Sequence, residues 1–172
     1  YKPKKAMIDN EALRAKYNPE GSLLRRDQME MLRMLKVFAK ICKEYDITWW
    51  LSSGTLLGAA RHEGFIPWDD DLDISMMRKD YERFLEIAPA CLPEGLFLQT
   101  RQSDPGIAFR GCKVRDLNSY IADQDDNNGR PYQKGIFVDL NQYIDDPEVG
   151  LNRNDFMTNV LEANSVDGKL YS

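Results

Sequence analysis

An α+β domain, with a central mixed β-sheet flanked by helices, is the fold class this sequence predicts. Three observations carry it. A long amphipathic stretch near the start has helical periodicity, short β-branched and aromatic runs then alternate with helix-length patterns, and the later half offers several strand-like runs in succession. With 172 residues, 42% of them hydrophobic and 30% charged, the chain can bury one core and is too apolar to be disordered.

Taken in order, residues 1–21 are polar, contain Pro3 and Pro19, and are expected to form an extended arm. Ser22 is suited to cap a helix over 23–45, where Leu24, Met31, Leu35, Phe38, Cys42 and Tyr45 recur at helical spacing, with Asp46 as the stop. Ile47–Leu51 is β-branched and aromatic and reads as a buried strand. A short helix over Gly54–Arg61 follows, then a loop with Gly64, Pro67 and an acid cluster, then a strand over Leu72–Met76. Tyr81, Phe84, Leu85 and Ala88 mark a helix over Asp80–Ala88, ended by Pro89 and Pro93. Gly95–Gln99, Phe109–Val114, Ser119–Ile121 and Ile136–Leu140 are expected strands, 123–131 a turn rich in acids and amides, and 154–163 a helix. The folded domain is therefore placed at 22–146, leaving 147–172 as a C-terminal segment, cut short or belonging to an acceptor side.

Composition excludes several functions. The 23 Lys plus Arg against 28 Asp plus Glu give a net charge of −5, so no broad basic surface exists for nucleic acid. With His62 as the one histidine, a metal site needing two imidazoles is ruled out. Cys42, Cys91 and Cys112 show no C-x-x-C spacing, and so sparse a set suits a reducing compartment. The most apolar stretch, Ile47–Ala60, is interrupted by Thr48, Ser52, Ser53, Gly54 and Thr55, so no integral membrane segment is expected. The opening YKPKK has no apolar run behind it and reads as a polar leader, not a signal peptide.

The segment WDDDLDI places Asp69, Asp70, Asp71 and Asp73 at the mouth of an expected strand. Alternation puts Asp71 and Asp73 on one face, about 7 Å apart along the backbone. Two such carboxylates repel unless a cation lies between them, and oxygen-only ligands favour Mg²⁺ or Mn²⁺; the other reading is a solvated acidic loop. An EF-hand fails, because Ile74 stands where the sharp turn needs Gly and Asp80 where a bidentate Glu is needed. In GIFVDL, Asp139 is a lone acid in an apolar strand, either a third carboxylate for the same site or a residue on a solvent face. SSGTLLG, without a following Lys, is no Walker loop. Its backbone N–H groups and the Ser53 and Thr55 hydroxyls offer either a phosphate cradle or a plain helix cap.

The block WWLSSGTLLGAARHEGFIPWDDDLDISMMRKDYERF closely resembles the core motif of the LicD family of phosphocholine transferases, shared by fukutin and fukutin-related protein. GIFVDLNQYID is similar to the family's later acid block, and FRGCKVRD to an intervening basic strand; the likeness runs from about Leu23 to Ile144. The resemblance implies a nucleotidyltransferase-like fold and a metal-dependent phosphotransferase using Mg²⁺ or Mn²⁺. Such an enzyme moves phosphocholine, or a polyol or sugar phosphate, from a CDP-linked donor such as CDP-choline to a glycan or lipid-linked saccharide hydroxyl, releasing CMP. It further implies Asp71, Asp73 and Asp139 as catalytic, metal-binding acids. Ser53, Gly54 and Thr55 then form the donor-phosphate turn, with Arg61, Lys113 and Arg115 as further phosphate contacts and Asp69, Asp70 and His62 in support. Trp68 is expected to pack or, as the second reading, to stack on a base. The other implied activities are transfer of an NMP group, or non-catalytic binding of a nucleotide or glycan. A bacterial-type cytoplasmic setting is expected, with peripheral contact at the inner membrane face, or the Golgi lumen in a eukaryote. Nothing in 147–172 matches the family.

Overall fold

The computed structural model describes residues 9–107, 109, 111–121 and 132–143, and the backbone of two short strands near the C-terminus. Its elements are α1 (Asn10–Tyr17), α2 (Leu23–Glu44), β1 (Trp50–Leu51), α3 (Ser53–His62), β2 (Asp73–Met77), α4 (Arg78–Cys91), β3 (Leu96–Gln99), β4 (Cys112–Asp116) and β5 (Phe137–Tyr143). β6 (Ser165–Val166) and β7 (Lys169–Leu170) form a separate antiparallel pair. The five main strands make one mixed sheet in the order β1-β2-β5-β4-β3, so the molecule has the α+β architecture that the sequence predicts. β2 and β5 run parallel, and the other neighbours are antiparallel.

Ser22 caps α2 as expected, its Oγ accepting the Arg25 N–H at 3.2 Å. The helix ends where Asp46 takes a left-handed φ of 54°. One sheet face is apolar: Ile74, Met76, Val138, Leu140, Cys112, Val114, Leu96 and Leu98 meet Met31, Met34, Phe38, Ile41 and Cys42 of α2 and Tyr81, Phe84 and Ala88 of α4. Burying these side chains is the main stabilising term. The alternation of β-strand side chains leaves the opposite face to carry polar groups.

Several elements differ from expectation, each for a physical reason. The expected arm contains α1, which buries no apolar residue and therefore leaves no periodic trace. It is held by an Asp9 cap on the Ala12 N–H at 2.9 Å and by polar contacts to α3. β1 is only Trp50–Leu51, because the Ile47 N–H is already bonded to the Cys42 carbonyl at 2.8 Å as α2 closes. Pro89 takes a donor from the Leu85 carbonyl but does not stop α4, which runs on to Cys91 and is closed by the Leu92 N–H on the Ala88 carbonyl at 2.9 Å. Ser119–Ile121 is not a strand. The Ser119 hydroxyl accepts the Ile136 N–H at 2.9 Å and Ile121 donates to the Lys134 carbonyl at 2.7 Å, an irregular crossing. Gly135 permits it, since a Cβ there would fall 1.6 Å from the Asp116 carbonyl oxygen. The expected turn at 123–131 and helix at 154–163 lie outside the described residues. No described helix is long and apolar enough to cross a membrane.

Phe84 is fully buried, 4.9 Å from the Phe38 ring at the junction of α2 and α4. Phe84→Ala is expected to lower stability by about 3–5 kcal/mol, seen as a reduced urea midpoint at unchanged m-value.

Candidate active site

Strand register builds the site. Asp73 pairs with Asp139 across the parallel β2–β5 ladder, and Asp139 pairs with Lys113 across β5–β4. Three adjacent strands thus set Asp73, Asp139 and Lys113 in one row on the face opposite the core. The two acids are neighbours at the strand spacing of about 4.8 Å. Lys113 Nζ stands 2.8 Å from Asp139 Oδ1 and 3.5 Å from the Phe137 ring centroid. Asn141 Nδ2 donates to Asp73 Oδ1 at 3.2 Å.

The start of α3 fixes where β2 begins. Ser52 N–H donates to the Asp73 carbonyl at 3.1 Å, while the Asp73 N–H donates to Thr55 Oγ1 at 2.9 Å. Ser53 takes a left-handed φ of 51°, a strained conformation for a non-glycine residue. Asp69 lies over this turn: a Cβ on Gly54 would be 2.8 Å from Asp69 Oδ2. That oxygen is buried and has no hydrogen-bond partner among the described residues.

The acids act on one another. Asp71 is pushed up to about 6, first by burial and then by Asp69, Asp73, Asp70 and Asp139. Asp69 is raised by burial, then by Asp70 and Asp73. Asp139 is also raised by burial, with Asp73 adding to the effect and Lys113 and Arg115 opposing it. One lysine therefore faces a field set up by five carboxylates. Among the described residues no three His, Cys, Asp or Glu side chains are arranged to hold an ion as they stand. In donor chemistry the acids nonetheless fit a hard divalent cation. Two carboxylates sit side by side, the Asp71 carboxyl is raised first by burial and then by the acids around it, and Asp69 Oδ2 lacks a partner among the described residues.

Other residues named from the sequence fall elsewhere. Thr55 is buried with its hydroxyl on the Asp73 N–H, so it anchors a strand and is not presented to a phosphate. Arg61 lies exposed in the last turn of α3, roughly 12 Å along the axis from Ser53. His62 is buried at that same far end, its Nδ1 2.8 Å from Asn10 Oδ1, and docks α1; burial, then Arg61 and Arg14, lower its pKa. Arg115 turns inward: it is 5% exposed, with Nε on Gln99 Oε1 at 2.6 Å and Nη1 on the Gly135 carbonyl at 2.7 Å. Trp68 is 53% exposed and makes edge contacts with the rings of Tyr17 and His62. Asp70 is exposed and contributes through its charge. A cavity of about 810 Å³ lies between the end of α4 and β3, lined by Leu85, Phe97 and Leu98, and none of the acids borders it.

The residue the sequence reading missed is Gln28 on α2, whose Nε2 donates to the Asp69 carbonyl at 2.8 Å. Its signal was present: a polar residue on the Leu24–Met31 stripe.

Between its ordinary value of 3.8 and about 6, Asp71 holds more proton in the folded than in the unfolded chain. Metal-free stability is therefore expected to fall as pH rises from about 4 to about 6. Asp71→Asn should remove that part of the slope, read from urea midpoints across the same range.

Comparison with known proteins finds similarity over the segment that carries α3 and the acids from Asp69 to Asp73. Residues 46–104 match the family model described as LicD/FKTN/FKRP, nucleotidyltransferase domain. The chain is 48% identical over 64 residues to the lipopolysaccharide cholinephosphotransferase LicD of Haemophilus influenzae, which covers 37% of this chain and 24% of that protein. It is 50% identical over 34 residues to the human ribitol 5-phosphate transferase FKRP, covering 20% of this chain and 7% of that one. A longer likeness, 28% over 120 residues, joins it to mannosyltransferase regulator 4 of Saccharomyces cerevisiae, covering 69% of this chain and 9% of the yeast protein. The matches thus span a minor part of each relative's length. Residues 46–104, where α3 and the acids from Asp69 to Asp73 lie, are thus similar to the LicD/FKTN/FKRP nucleotidyltransferase domain.

Proposed function

We propose that this chain is the catalytic part of a metal-dependent phosphotransferase. It would move a phosphoryl-alcohol group from a CDP-linked donor to a glycan hydroxyl and release CMP. The observation that carries the reading is the Asp73–Asp139–Lys113 row beside the first turn of α3. The relatives named as cholinephosphotransferase and ribitol 5-phosphate transferase support the substrate class.

In this reading the backbone N–H groups of Ser53 and Gly54 meet the donor diphosphate, aided by the α3 dipole. Lys113, within reach of Asp139, meets the same oxygens. Asp71, Asp73 and Asp139 would hold Mg²⁺ or Mn²⁺, which supplies charge neutralisation on the diphosphate and acidifies the acceptor hydroxyl. Asp139 would take the hydroxyl proton or else hold the ion that acidifies that hydroxyl. The acceptor oxygen bonds to the alcohol-bearing phosphorus as the bond from that phosphorus to the bridging oxygen breaks. The electron pair leaves on CMP. The sparse cysteines suit a cytoplasmic setting, with any contact to a lipid-linked acceptor made peripherally.

Asp73→Asn and Asp139→Asn are each expected to cut CMP release by roughly 10³-fold with the circular dichroism spectrum unchanged. Calorimetry with Mg²⁺ plus CDP-choline, CDP-ribitol and CDP-glycerol in turn should show binding of at least one. If none of the three binds, the CDP-donor reading fails. If pyrophosphate or a nucleotidylated acceptor forms in place of CMP, the reaction is NMP transfer.

A further inference from the structure

Gln28 is completely buried on the core stripe of α2, between residues that are otherwise apolar. For packing alone Leu or Met would serve better, since a buried amide is costly unless its hydrogen bonds are made. Gln28 makes them in one direction. Its Nε2 donates to the Asp69 carbonyl at 2.8 Å and reaches the Ile66 carbonyl at 3.4 Å. These are the two ends of the turn in which the Asp69 N–H bonds the Ile66 carbonyl at 3.0 Å. Since both partners are carbonyls, the amide nitrogen must face them. Its Oε1 is then left to accept from Asn18 Nδ2 at 2.6 Å. Asn18 is itself 3% exposed and closes α1, so the last residue after that helix sets the orientation of the Gln28 amide.

The acidic run is thereby fixed at both ends. Asp73 is fastened to α3 through Ser52 and Thr55, and Asp69 to α2 through Gln28. Asp70 and Asp71, mutually repelling, are strung between the two anchors. We propose that Gln28, oriented by Asn18, is a positioning residue that holds the Ile66–Asp69 turn and with it the acids that meet the divalent cation. The cation part of this inference rests on the function proposed above. The positioning part does not.

The test uses the full chain, with Gln28→Leu and Asn18→Ala as variants, and reads amide hydrogen exchange and binding of Mn²⁺ alone. In Gln28→Leu the amides of 66–71 are expected to exchange about 10-fold faster or more, while those of α4 and β3 stay within a factor of two or so. Mn²⁺ affinity should fall about 10–100-fold, as when a group supporting metal ligands is lost. Asn18→Ala should give the same pattern more weakly. The double variant should be no worse than Gln28→Leu, because both act through one chain of hydrogen bonds. Unchanged exchange at 66–71, or exchange raised equally throughout, would overturn the positioning role. If Gln28→Leu does not fold, Asn18→Ala decides by the same criteria. If the unmodified chain binds no Mn²⁺, the metal reading falls and the exchange result still settles the role of Gln28.

Discussion

Two carboxylates at one register position of a parallel strand pair set the terms for everything around them. Asp73 and Asp139 are brought together by the ladder itself, through backbone hydrogen bonds that are indifferent to side-chain charge. Their repulsion must be answered by something nearby. Lys113 answers part of it from the next strand, and Asn141 donates to Asp73 from the side. Burial first, and the neighbouring acids after it, also raise Asp71 and Asp139. The apolar face of the sheet makes this tolerable: α2 and α4 pack against it tightly enough for the opposite face to hold unfavourable charge.

This division of labour explains which residues ended up in the site. Both Lys113 and Arg115 lie on β4, and spacing alone gives them the same prospects. Their neighbours separate them. Lys113 is level with Asp139 and ion-paired with it, whereas Arg115 is level with Phe137 and reaches diagonally to the amide oxygen of Gln99, which holds its guanidinium. Arg61 and His62 are separated from the acids by the length of α3, although they lie close to Asp69 in sequence. Proximity along the chain was a poor guide here, and strand register a good one.

Much of the fold was legible because it rests on periodic burial. α2 with its Ser22 cap, the strand after the acids and the late strand carrying Asp139 all follow from apolar spacing. α1 was not legible, since polar contacts to His62 and Gln28 hold it in place and no apolar stripe marks it. β1 was over-extended because Ile47 is buried by helix closure, which looks the same in sequence as burial in a strand. In the site, residue type marked the acids. Which of them share a row depended on pairing between distant strands, and no local pattern encodes that.

The parallel pairing also bears on when the site can exist. Asp73 and Asp139 are separated by α4, β3, β4 and the crossing at Gly135, and β5 is inserted between β2 and β4. Contacts so remote in sequence carry a large loop-closure cost and belong to the slow part of folding. α2, α4 and the β3–β4 pair can form from shorter-range contacts while β5 is still unplaced. A partly folded chain would then hold Asp139 apart from the run Asp69–Asp73, with the charge cluster incomplete. The electrostatic burden falls on the last step of assembly, after the core that has to bear it is in place.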